Sequence, residues 1–60
     1  MSTKRVIRMD EVKKLTGLSR ATINRYRAND DFPKNLQLGA NSIGFFENEV
    51  IEWLESRRTQ

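Results

Sequence analysis

The stretch Thr16-Gly17-Leu18-Ser19-Arg20-Ala21-Thr22-Ile23-Asn24-Arg25 constrains this 60-residue chain more than any other. Gly17 readily takes the left-handed conformation that ends a helix. Ser19, two residues on, is a strong N-cap for a new one. Leu18 precedes that cap and Ile23 falls at the fourth helical position, the spacing of a hydrophobic staple that sets the entry angle of the helix. Thr22, three after the cap, is not Glu or Gln, so the capping box is incomplete. Two helices joined by so short a turn read as a helix-turn-helix, whose second helix enters the DNA major groove.

At 100° per residue from Arg20, Ile23 and Tyr26 point to a core, and Arg20, Ala21, Asn24, Arg25 and Ala28 point away from it. The outer face therefore combines cations, an amide and small residues. Arginine bonds the acceptors of guanine, asparagine pairs with adenine, and alanine allows close approach and touches a thymine methyl. Thr22 and Arg27 flank this face and suit phosphates, as do Ser19 and the free amides at the helix start. The plainer alternative is a solvated helix face, since arginine and alanine are good helix formers.

The rest of the chain fits around this pair. Met9, Val12, Leu15 and Leu18 form an apolar stripe that predicts a first helix over 9–16, with Asp10 and Glu11 in its first turn and Lys13 and Lys14 toward its end, as the helix dipole favours. Arg8 is a poor cap residue, which leaves the start of that helix loosely specified. Residues 1–5 read as a flexible basic arm, and residues 6–60 as one domain. Val6-Ile7 either forms a short strand or simply covers the core. The second helix ends near Ala28 or Asn29, and Asp30-Asp31-Phe32-Pro33 reads as a loop. Leu36-Gln37-Leu38, the turn-rich Gly39-Ala40-Asn41-Ser42, and Ile43-Gly44-Phe45 predict a hairpin. Phe46, Val50, Trp53 and Leu54 share one face of a last helix over 47–58, with Glu49, Glu52 and Glu55 opposite and Arg57 and Arg58 near its end. Tyr26, Phe45, Phe46 and Trp53 lie on apolar stripes and are expected in the core. The fold expected is mainly α with a small β-hairpin wing: a winged helix-turn-helix with three helices. Lys34, Gln37, Asn41 and Ser42 place polar groups on or beside the wing, where they suit DNA backbone or minor groove; a plain hairpin turn also explains Asn41 and Ser42.

Charge distribution agrees with that reading. Residues 1–27 hold eight lysines and arginines against two carboxylates, and residues 28–60 hold three against six. The net charge of +3 is thus concentrated over the helix-turn-helix half, and a field of that sign supplies non-specific DNA affinity. There is no cysteine and no histidine, which removes disulfides, thiolate metal sites and the commonest general base. No glycine-rich phosphate loop is present, and the carboxylates read as surface-borne. These features argue against an enzyme, a cofactor or a bound metal. No apolar run reaches membrane-spanning length and no signal-peptide pattern opens the chain, so a cytoplasmic, nucleoid-associated protein is expected. A chain this small buries a limited core, and high affinity for DNA is expected to need paired sites, through self-association or another DNA-bound protein.

With these residues in hand, the chain resembles the AlpA family of small phage and prophage transcriptional regulators. That family is similar in fold to phage excisionases and to the DNA-binding domains of MerR-type regulators. The resemblance runs from about Ile7 to Arg57. It rests on Arg8-Met9-Asp10-Glu11-Val12, Thr16 to Ile23, Phe32-Pro33-Lys34, Leu38-Gly39, Gly44-Phe45 and Glu49-Val50-Ile51-Glu52-Trp53-Leu54, in that order and spacing. It implies a regulator that binds promoter or attachment-site DNA and controls genes for integration or excision. The family's Ser-Arg-x-Thr stretch falls on Ser19, Arg20 and Thr22, and its helix arginine on Arg25. The position before that arginine is often tyrosine in the family and is Asn24 here, which implies an altered sequence preference. The wing often carries an arginine where this chain has Asn41, which implies a weaker wing contact. Two other functions compete: an excisionase-like protein that bends attachment-site DNA, and a protein-interaction module such as a small antitoxin or anti-repressor, for which Ile51 beside the acidic helix face would serve.

Overall fold

The computed structural model describes residues 4–58. Its elements run β1 (Val6–Ile7), α1 (Met9–Thr16), α2 (Arg20–Ala28), β2 (Leu36–Gly39), β3 (Ser42–Phe46) and α3 (Glu47–Ser56). The three helices and the hairpin stand where the sequence places them. Val6-Ile7 resolves as a strand. It pairs antiparallel with β3, Val6 opposite Phe46 and Ile7 opposite Phe45, so that β3 is the middle strand of a β1-β3-β2 sheet. The expected arm at residues 1–5 falls partly outside the described residues. Of the two that are described, Arg5 accepts the Glu47 amide at its carbonyl, at 2.7 Å, and its guanidinium meets the Glu47 carboxylate at 2.8 Å. α3 thereby begins on a backbone cap from across the sheet, because Phe46, its N-cap residue, has no side-chain oxygen to offer.

The core is Ile7, Met9, Val12, Ile23, Phe32, Phe45 and Val50, one or more from nearly every element, with Leu15, Leu18, Tyr26, Ile43 and Trp53 packed around it. Phe45, Val12, Ile23 and Val50 are fully buried. Two residues depart from their expected places. Phe32, expected in a polar loop, is buried and stands edge-on to Phe45 at 5.5 Å and to Trp53 at 4.7 Å. The loop after α2 folds back to close the open end of the core, which a small domain must do to bury enough apolar surface. Phe46, expected on the buried stripe of the last helix, is instead the last residue of β3, facing opposite to Phe45 by strand alternation, with the Lys4 ammonium 5.0 Å from its ring centre.

α3 also ends earlier than the periodicity suggests, at Ser56. The Arg57 guanidinium folds back over the rings of Tyr26 and Trp53, at 4.8 Å from each centre, and reaches Asp31 at 3.4 Å. The Trp53 indole N–H donates to the Asp31 carbonyl at 2.8 Å. The loop after α2 and the end of α3 are thus stitched together through one tryptophan and one arginine.

Candidate nucleic-acid interface

The turn between α1 and α2 is built by four consecutive side-chain and backbone choices. Thr16 turns its hydroxyl back to the Val12 carbonyl at 2.8 Å and accepts the Leu18 amide at 3.2 Å. Gly17 adopts φ 74°, and its amide closes α1 on the Lys13 carbonyl. Leu18 packs against the core cluster that Ile23 enters. Ser19 accepts the Thr22 amide at 3.2 Å and donates its own proton to the Thr22 hydroxyl at 3.0 Å. The threonine oxygen meets the serine hydroxyl and not the Ser19 amide, so the capping box stays incomplete.

α2 ends as deliberately. Asp31 donates its amide to the Tyr26 carbonyl and Asp30 to the Arg27 carbonyl, with Asp30 at φ 61°. This is the paired closure of a Schellman motif, with aspartate at the left-handed position usually held by glycine.

Between these ends, Arg20, Ala21, Asn24, Arg25 and Ala28 are all exposed, while Ile23 is buried and Tyr26 half-buried. Arg20 and Arg25 make no ion pair among the described residues, so both guanidiniums are available. Thr22 and Arg27 lie half-buried on the flanks. Ser19 is exposed, with its hydroxyl committed to the cap.

The tip of the wing lies near the start of α2. A cleft of about 420 Å³ is lined by Arg20, by Arg8, Met9 and Asp10 at the start of α1, and by Asn41, Ser42 and Ile43 at the hairpin tip. The fold thus gathers Arg20, Asn41 and Ser42 in one place. Gln37 is exposed and donates its side-chain amide to the Gly39 carbonyl where the β2–β3 register slips. Lys34 stands apart. It lies beyond the C-terminal end of α2, paired across one turn with Asp30 at 3.2 Å, and both side chains are largely exposed. Sequence reasoning did not single out Arg8. Its backbone caps α1 with no side-chain bond, and a long basic residue at a position that favours short cap formers was the available signal.

The three-helix arrangement, with a tight turn between α1 and α2 and a hairpin whose β3 packs on α1 and α3, defines a winged helix-turn-helix protein. Residues 5–58 match the family described as prophage CP4-57 regulatory protein (AlpA), and the chain belongs to that family. It is 39% identical over 62 residues to the DNA-binding transcriptional activator AlpA of Escherichia coli strain K12, covering 93% of this chain and 89% of the relative. It is 33% identical over 57 residues to the uncharacterized protein ORF88 of Enterobacteria phage P4, covering 95% of this chain and 65% of that protein. No solved structure matches it significantly.

Proposed function

We propose that this chain is a sequence-specific regulator of phage or prophage origin that binds duplex DNA at a promoter or attachment site and controls integration or excision genes. One observation carries the reading: the face Arg20, Ala21, Asn24, Arg25 and Ala28 is wholly exposed on a helix capped at both ends, with two arginines that no carboxylate neutralises among the described residues. Its relative in Escherichia coli, named a DNA-binding transcriptional activator, supports it. In this reading α2 lies in the major groove, where Arg20, Asn24 and Arg25 meet base edges and Ala21 lets the backbone approach. Thr22 and the amides at the start of α2 face a phosphate, and Lys34 meets the backbone farther along. Arg8, Asn41 and Ser42 carry the contact onto the strand beside the wing. The protein then works on the nucleoid, in the cytoplasm.

The test is a binding titration on duplex fragments from the promoter and attachment site of the prophage that encodes the chain, against random duplex at moderate salt. A preference for one of those fragments is expected. Equal affinity for all of them sinks the sequence-specific reading. Bending of the bound fragment, read by circular permutation of the site, would favour an architectural role in excision over promoter control.

A further inference from the structure

We propose that Arg27 is a positioning residue that turns Asn24 into a hydrogen-bond donor toward DNA, so that Asn24 selects guanine and not the adenine its residue type suggests. The proposal rests on the DNA-binding reading above. Arg27 stands one turn after Asn24, and its Nη1 donates to the Asn24 Oδ1 at 2.8 Å. Its Nη2 donates to the Asn35 Oδ1 at 3.2 Å, in the segment that leads into β2. The guanidinium carbon lies 5.8 Å from the centre of the Phe45 ring, and Phe45 is fully buried. One planar fork therefore joins the recognition helix to the approach to the wing, resting on the core.

The consequence is chemical. Arginine has donors only, so the oxygen of Asn24 and not its nitrogen must face the fork. The Nδ2 group is then held on the other side of the carboxamide, and Asn24 is exposed. Asparagine recognises adenine by donating to N7 and accepting from N6 at once. Oδ1 keeps a second lone pair, but its carbonyl is turned toward Arg27, and in this proposal the carboxamide meets the base through Nδ2. That group is a two-proton donor, and the base edge with two adjacent major-groove acceptors is guanine, at N7 and O6. Arg27 donates from both terminal nitrogens within the protein, which gives it the task of orienting its neighbour.

The experiment selects preferred duplexes from a randomised library with the full chain. The base pair read by Asn24 is the one whose preference disappears in Asn24→Ala. Guanine is expected there, and Arg27→Met, which releases Oδ1, should move the preference toward adenine by about five- to tenfold. A second arm needs no variant: 7-deazaguanine at that position should weaken wild-type binding by about fivefold, because it removes the N7 acceptor. This arm decides the matter should Arg27→Met fail to fold, as judged by circular dichroism. Adenine preferred by the wild type at the Asn24-dependent position overturns the proposal, as does an unchanged preference in folded Arg27→Met or indifference to the 7-deaza base. Selection of a definite site with no position dependent on Asn24 defeats this proposal alone. Absence of any selected site defeats the DNA-reading interpretation beneath it.

Discussion

Ser19 and Arg25 show how differently two residues of one motif are committed. The Ser19 hydroxyl is spent within the protein, on the amide and hydroxyl of Thr22. Ser19→Ala should therefore lower stability by about 1 kcal/mol, measured by urea denaturation, the usual cost of a lost N-cap. Arg25 is exposed and without an ion-pair partner among the described residues. Arg25→Ala should leave the denaturation midpoint nearly unchanged and weaken specific binding by about 1–3 kcal/mol in a titration, the range for a base-reading arginine. The two exposed positions were both legible as candidates, because residue type and helical angle suffice to place them. That the Ser19 hydroxyl caps α2 was legible from its place before the helix; that Arg27 is already used was not, because the Asn35 oxygen is brought in by the folded chain.

Among the elements, β3 carries the most. It lies between β1 and β2, presents Phe45 to the core and leads directly into α3. Gly44 sits where its neighbours close in. A Cβ there would stand 2.9 Å from the side chains of both Val6 and Leu38, and 3.2 Å from the Ile7 carbonyl oxygen. The strands could relieve the first two contacts by rotating side chains, but the third is backbone. Gly44→Ala should cost about 1–3 kcal/mol, the range for overpacking, and should shift the thermal midpoint accordingly. The hairpin was readable from alternation and turn residues. The pairing of β1 was not, because two residues hold no period, and their strand state depends on partners about 40 positions away. The start of α3 at residue 47 was readable from its periodicity, but the same distance hides its cap, the Arg5 carbonyl.

On the scale of the whole molecule, a core of seven buried side chains holds three helices and three strands among the described residues. Domains of this size have little stability to spare. Phe45→Ala removes a fully buried ring that also meets Phe32 edge-on, and a loss of about 3–5 kcal/mol should leave the chain largely unfolded at 25 °C by circular dichroism. The other global property is charge. The Lys34 side chain is 87% exposed and paired only with the equally open Asp30 among the described residues, an arrangement that water and salt screen heavily. Its ammonium thus remains available to a phosphate. Lys34→Ala should weaken specific and random duplex alike, and should lower the slope of log affinity against log salt by about one.

The sequence alone determined which segments become helix, turn and hairpin, and which face of α2 looks outward. Those features follow from local rules: an apolar period, a left-handed glycine, a serine cap, a turn-rich tetrad. The tertiary structure decided the features that need distant partners. It drew β1 into the sheet, turned Phe32 from loop into core, sent Phe46 to the opposite side of β3 from Phe45, folded Arg57 onto two aromatic rings, and brought Arg8 beside the wing tip. It also placed Arg27 between Asn24 and Asn35. The physical reason is the same in each case: a short chain buries what it can wherever its elements meet, and a long polar side chain bonds whatever that packing leaves within reach.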